Sequence, residues 1–125
     1  FNYLIGGTDA HAKNYSLLHG PRRVRLAPLY DIASALPYYD VKQLKLAMKI
    51  GSHYELRYIT DRDWDALGEI AGLTAAGSAR VRELAGKVLE QLPLLVAELR
   101  DQGLSREILT NLETSIRKFV TSKAA

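Results

Sequence analysis

Three polar side chains in the first third of the sequence have the types and spacing to do chemistry. Asp9 and Asn14 stand five positions apart in Thr8-Asp9-Ala10-His11-Ala12-Lys13-Asn14, and Asp31 follows 17 residues after Asn14, ending Leu26-Ala27-Pro28-Leu29-Tyr30-Asp31. A loop carboxylate can accept or orient the proton of an attacking hydroxyl. A neutral amide oxygen at the far end of a tight loop can reach Mg²⁺. That ion prefers hard oxygen ligands and commonly takes only one or two from protein, leaving phosphates and water to complete its octahedron. A second carboxylate, placed after a hairpin, supplies the remaining protein ligand that phosphoryl transfer uses. Asp9 is therefore the candidate catalytic residue, and Asn14 and Asp31 are the candidate metal ligands. Lys13 and His11 are the candidate cofactor-binding residues. Lys13 faces the transferring phosphate or else solvent, and His11 orders the loop by hydrogen bonds. An N-capping aspartate and a turn asparagine would account for the Asp9–Asn14 interval equally well on spacing alone. His11, His19 and His53 show no H-x-x-x-H spacing, which argues against a histidine metal site.

The elements that must position these residues divide the chain in two. Phe1 to Ile5 reads as the end of a helix stopped by Gly6-Gly7. Asn14–His19 and Val24–Leu29 read as short strands around the turn Gly20-Pro21-Arg22-Arg23, and Leu44, Leu46, Met48 and Ile50 alternate as in a third extended segment. From Thr60 the pattern turns helical. Thr60-Asp61-Arg62-Asp63 resembles an N-cap with an acidic first turn, followed by Trp64, Leu67, Ile70 and Ala71 at helical spacing and a stop at Gly72. A second helix is predicted over 76–100, with the stripe Val81, Leu84, Ala85, Val88, Leu89, Leu92, Leu95, Val96 and Leu99. Pro93 inside it should kink it, and Gly103 should cap it. A third helix is predicted from about Ser105, with Ile108, Leu112, Ile116 and Phe119 on one face.

Composition limits the choices further. The 125 residues suit one domain, and 47% apolar with 25% charged residues is the balance of a chain that buries a core. There is no cysteine, which excludes disulfides and thiolate metal sites and fits a reducing compartment. No apolar run approaches the ~18 residues of a membrane span, and Phe1-Asn2-Tyr3 carries no signal-peptide signature. Residues 1–60 hold eight Lys/Arg against four Asp/Glu, whereas residues 61–125 hold nine against ten, so the basic charge lies on the loop-rich half. That excess could attract phosphate, but it is small for a nucleic-acid footprint.

The Asp9–Asn14 interval equals that of the protein-kinase catalytic loop, H-R-D-L-x-x-x-N, and Tyr30-Asp31 stands where such an enzyme has its metal-binding Asp-Phe-Gly. More specifically, Phe1-Asn2-Tyr3-Leu4-Ile5-Gly6-Gly7 through Asn14 resembles the catalytic loop of HipA-like serine/threonine kinases, the toxins of HipA–HipB toxin–antitoxin modules. Leu26 to Asp31, Leu46-Ala47-Met48-Lys49-Ile50-Gly51 and Ile59 to Trp64 resemble the segments that follow it in that family. The resemblance implies a mainly α fold with a small β-hairpin, the C-terminal lobe of a kinase-like enzyme. It implies Asp9 as catalytic aspartate, Asn14 and Asp31 on Mg²⁺ with ATP, and transfer to a hydroxyl of a protein substrate. It also implies a helix-turn-helix antitoxin repressor of HipB type as partner, operator DNA reached through that complex, and a cytoplasmic location without a membrane.

Family members carry a preceding lobe with a phosphate-binding loop and a strand lysine. This chain contains neither G-x-G-x-x-G nor G-x-x-x-x-G-K-[ST]. It is therefore read as a single C-terminal domain lacking the nucleotide-binding lobe and inactive in isolation, with 1–60 holding the loop, hairpin and metal-binding segment and 61–125 a helical subdomain. Two other readings stand beside this one. A small-molecule kinase fragment would place its histidine three residues after the aspartate, whereas His11 is two after Asp9. A non-catalytic module would bind an antitoxin repressor or DNA through its helices and keep the metal residues as relics.

Overall fold

The computed structural model describes residues 1–124. Three α-helices fill most of the second half: α1 Asp61–Ile70, α2 Gly77–Asp101 and α3 Arg106–Ala124. Two separate antiparallel hairpins precede them. The first joins β1 Leu17–His19 to β2 Val24–Leu26, with Leu17 opposite Leu26 and His19 opposite Val24. The second joins β3 Lys45–Ile50 to β4 His53–Glu55. Short 3₁₀ turns at Ala12–Asn14, Val41–Gln43 and Leu56–Tyr58 connect them.

The predicted helices form, with boundaries shifted by a residue or so. The N-terminal helix end does not: Phe1–Gly6 is a set of tight turns, closed by Leu4 N–H to Phe1 O at 2.9 Å and Gly6 N–H to Tyr3 O at 3.1 Å. Its side chains nonetheless seed the core. Tyr3, Leu4 and Ile5 are buried, and the Tyr3 ring meets Trp64 of α1 and Phe119 of α3 edge-on at 5.1 and 5.4 Å. Such pairs add to the area they bury. Burial, with help from the Asp61 charge, pushes the Tyr3 phenol up to about 12, so it stays neutral.

Helix α2 supplies Ala85, Leu92 and Val96 to this core, with Val81, Leu84, Val88, Leu89 and Leu99 packed at its margin. Leu95, predicted on the same stripe, is exposed, because the core covers a narrower arc than the apolar spacing. The helix runs through Pro93 as one element, anchored in the core by Leu92 before it and Val96 after it. On α3 the inward residues are Leu109, Ile116, Phe119 and Val120, and the predicted Ile108 faces outward. Ile70 of α1 is likewise exposed, since α1 meets α2 at its opposite edge. There Gly77 starts α2 so close to α1 that a Cβ would be driven into the Trp64 carbonyl oxygen, which excludes any larger residue.

The α1–α2 junction has its own cap. Ser78, one of two buried polar residues among those described, donates its backbone N–H to the Asp65 carboxylate at 2.8 Å, satisfying an otherwise unpaired amide at the start of α2. That hydrogen bond holds the Asp65 carboxyl below its usual range. A folded pKa below the unfolded one means that the stabilisation is complete above the ordinary aspartate value of about 4 and is lost as pH falls through the lower folded value. Asp63 and Glu83 act in the same direction: Asp63 accepts from the Thr60 backbone, and Glu83, beside Lys87 and Arg80, is pulled to about 2. The thermal midpoint should therefore drop on acidification below about pH 4. Asp65→Asn, which still accepts a hydrogen bond but cannot titrate, should show a shallower drop. A superimposable profile for the variant would show that Asp65 contributes nothing.

Candidate active site

The loop that carries Asp9 leaves the buried Tyr3-Leu4-Ile5 anchor through Gly6 and Gly7. It is held at its start by Gly7 N–H to Asn2 O at 2.7 Å and by Ala35 N–H to Gly6 O at 3.0 Å. Asp9 then emerges with its side chain 80% exposed, and its Oδ1 lies 3.0 Å from His11 Nε2. The Asp9 backbone carbonyl turns inward and accepts the His11 N–H at 2.8 Å. One 3₁₀ turn later Asn14 is buried, the other polar residue of that class.

Asn14 is the centre of the arrangement. Its Nδ2 donates to the Asp9 backbone carbonyl at 3.2 Å and to Asp31 Oδ2 at 3.0 Å. One amide thus ties the catalytic-loop candidate to a carboxylate 17 residues further on. Asp31 is the one non-glycine residue among those described with a left-handed backbone, at φ 55°. Such conformations cost on the order of 1–3 kcal/mol and cluster at functional sites, where the surroundings over-determine them. Here the over-determination comes from the preceding residue. The Tyr30 hydroxyl donates to the Lys13 carbonyl at 2.9 Å and, having spent its proton there, accepts from Ser16 Oγ at 2.8 Å. Behind the loop, Asn2 Nδ2 donates to the Tyr15 hydroxyl at 2.8 Å.

The structure brings together Asn14, Asp31 and the main chain of Asp9, with His11 on the Asp9 carboxylate. Lys13 is exposed and lies in the same turn, and among the described residues it makes no ion pair. Sequence reasoning did not find the Tyr30–Ser16–Lys13 strap or the Asn2–Tyr15 bond. The signal available for the strap was the tyrosine directly before Asp31.

The donor set fits magnesium. The Asn14 side chain carries an amide oxygen and Asp31 a carboxylate, both hard oxygen ligands of the kind magnesium takes, and the two side chains are in hydrogen-bond contact. No group of three or more His, Cys, Asp or Glu able to hold a metal occurs among the described residues, so an ion here would draw its other ligands from phosphates and water.

This geometry belongs with a recognised sequence pattern: residues 1–94 match the model of the HipA-like C-terminal domain. The chain belongs to that family. A protein of Sinorhizobium fredii named "Putative kinase Y4mE" is 37% identical over 73 residues, which is 58% of this chain and 17% of that protein. The "Serine/threonine-protein kinase toxin HipA" of Shewanella oneidensis is 29% identical over 109 residues, covering 84% of this chain and 25% of the toxin. The chain therefore spans about a quarter or less of the length of these relatives. Among solved structures, a chain in the complex of the Shewanella oneidensis MR-1 toxin–antitoxin system HipA, HipB and its operator DNA superimposes with a TM-score of 0.71. That match has 24% identity, over 98% of this chain and 31% of the other. The family model ends within α2, whereas the likeness of fold extends over nearly the whole chain and so takes in α3. No described helix is long and apolar enough to cross a membrane.

Proposed function

We propose that this HipA-like domain works as the catalytic part of a longer serine/threonine protein kinase, transferring phosphate from Mg-ATP to a protein hydroxyl. The observation that carries the reading is the single Asn14 amide joined both to Asp9 and to Asp31. Asp9, exposed and oriented by His11, would align the substrate hydroxyl and accept its proton. Asn14 and Asp31 would hold Mg²⁺, which when bound neutralises charge on the transferring phosphoryl group. Lys13, solvent-facing on the same turn, would add positive charge near the phosphates. The Tyr30 strap keeps Asp31 in register with Asn14. The kinase names of the relatives, one of them a toxin, support the same reading. By the same likeness, a HipB-type helix-turn-helix antitoxin is the proposed protein partner, with operator DNA bound through that complex, and the cytoplasm is the proposed location.

Phosphoryl transfer is mostly positioning and charge neutralisation, and two protein ligands rarely hold Mg²⁺ tightly without nucleotide phosphates. The isolated chain should therefore incorporate no labelled phosphate from ATP into protein above background, while a longer protein supplying a nucleotide-binding lobe should label serine or threonine. Robust transfer by the isolated chain would contradict the division of labour. Absence of transfer by the longer protein with its cognate substrate would contradict the kinase reading.

A further inference from the structure

A second concave surface shares no residue with the site above. Lys42, Arg57, Lys118 and Lys123 line a groove of about 610 Å³ between the 3₁₀ turn at Val41–Gln43 and the last turns of α3. None of the four makes an ion pair among the described residues. The acidic residue in the lining, Asp40, is directed at the Lys42 backbone N–H, 2.8 Å away, and Asp61 in the adjoining cleft is held by Arg82 at 2.7 Å. Four cations thus line one channel; Asp40 in its lining accepts from the Lys42 backbone N–H, and Glu55, close to Arg57, is paired with Lys45 at 3.3 Å. Exposed aromatic rings stand beside them. Tyr39, 61% exposed, lines the groove, Tyr38 next to it is 74% exposed, and Arg57 lies 4.4 Å over the Tyr58 ring.

We propose that this groove binds single-stranded nucleic acid. A track of cations without carboxylate partners, Lys123 among them lying over the Phe119 ring at 5.6 Å, follows a phosphate backbone, and the exposed Tyr38 and Tyr39 give unpaired bases a face on which to stack. A duplex keeps its bases inside and an acidic peptide has none, so neither would use those rings. The inference does not rest on the kinase reading, since it involves neither Asp9, Asn14 nor Asp31.

The test is fluorescence anisotropy of the full chain with a labelled oligothymidylate about a dozen nucleotides long, within the roughly 4–16 nucleotides typical of such grooves. Saturable binding with a dissociation constant at or below about 100 μM in low salt is expected, weakening as salt rises. Lys42→Ala with Lys118→Ala should weaken it at least about tenfold and flatten the salt dependence by about 0.7 in slope per lysine. Tyr39→Ala should weaken it about fivefold or more with the slope unchanged. All these side chains are exposed, so an unaltered melting curve will confirm that the variants fold. Arg22→Ala with Arg23→Ala, on the distant-in-sequence hairpin turn, should bind as the parent does. The proposal is overturned by absence of saturable binding, by a matching duplex binding as tightly, by groove variants that bind normally, or by loss of binding in the hairpin variant.

Discussion

On the kinase reading proposed above, Asp9→Asn in a longer protein that supplies a nucleotide-binding lobe should lower kcat for phosphate transfer by about 10²–10⁴-fold, the usual contribution of a positioned general base, while leaving the melting temperature unchanged. The two parts of this expectation come from two different atoms of one residue. The carboxylate is 80% exposed and meets only His11, in a solvent-exposed contact of a kind that contributes little to stability. What holds the loop together is the Asp9 backbone carbonyl, which accepts from Asn14 and His11 and is untouched by the substitution. Asparagine keeps the shape but cannot take the hydroxyl proton. A kcat within about threefold of the parent would show that Asp9 does not supply this base.

Leu56→Ala should destabilise the domain by about 2–5 kcal/mol, the range for truncating a large buried aliphatic side chain. Leu56 is 0% exposed and sits in the 3₁₀ turn between the second hairpin and α1. Its N–H donates to the Leu44 carbonyl at 3.2 Å beside the second hairpin, and its 3₁₀ turn leads into α1. Fully buried in the core cluster, the site has little freedom to collapse around the missing methyl groups. Chemical denaturation of the parent and variant would measure the difference, and a loss below about 1 kcal/mol would mean that the core closes over the gap.

Leu56 also marks where reading the sequence stops working. The helices were legible because their apolar residues recur over two or more turns, and α2 and α3 appear within a residue or so of their expected limits. Periodicity overstates the buried arc, however: Leu95, Ile70 and Ile108 fit the helical spacing and still face outward. Which edge of a stripe is covered depends on how neighbouring helices pack, and spacing along one helix does not carry that. Leu56 belongs to no stripe at all, being one residue of a three-residue turn. The second hairpin was half visible. Leu44 to Ile50 alternated clearly, but its partner His53–Glu55 is too short to show a period.

The site divides in the same way. Asp9, Asn14 and Asp31 could be picked out because their types and order suit one chemistry, and the structure joins all three through one amide. The strap that fixes Asp31 could not, because nothing local says that the Tyr30 hydroxyl reaches back to the Lys13 carbonyl. The Asp65 cap on α2 was hidden for the same reason: helix-capping patterns look within one helix, and this carboxylate comes from the helix before it.

The most direct test of the proposed kinase reading is magnesium-dependent phosphate transfer by a longer protein with a nucleotide-binding lobe, carrying Asn14→Ala or Asp31→Ala, with Arg22→Ala as reference. If Asn14 and Asp31 share the metal, each substitution removes one of its two protein ligands, and transfer should fall by about 10²-fold or more. The loss should be partly recovered by raising magnesium, with Arg22→Ala matching the parent throughout. Full activity of either Asn14→Ala or Asp31→Ala at the parent's magnesium requirement would contradict it.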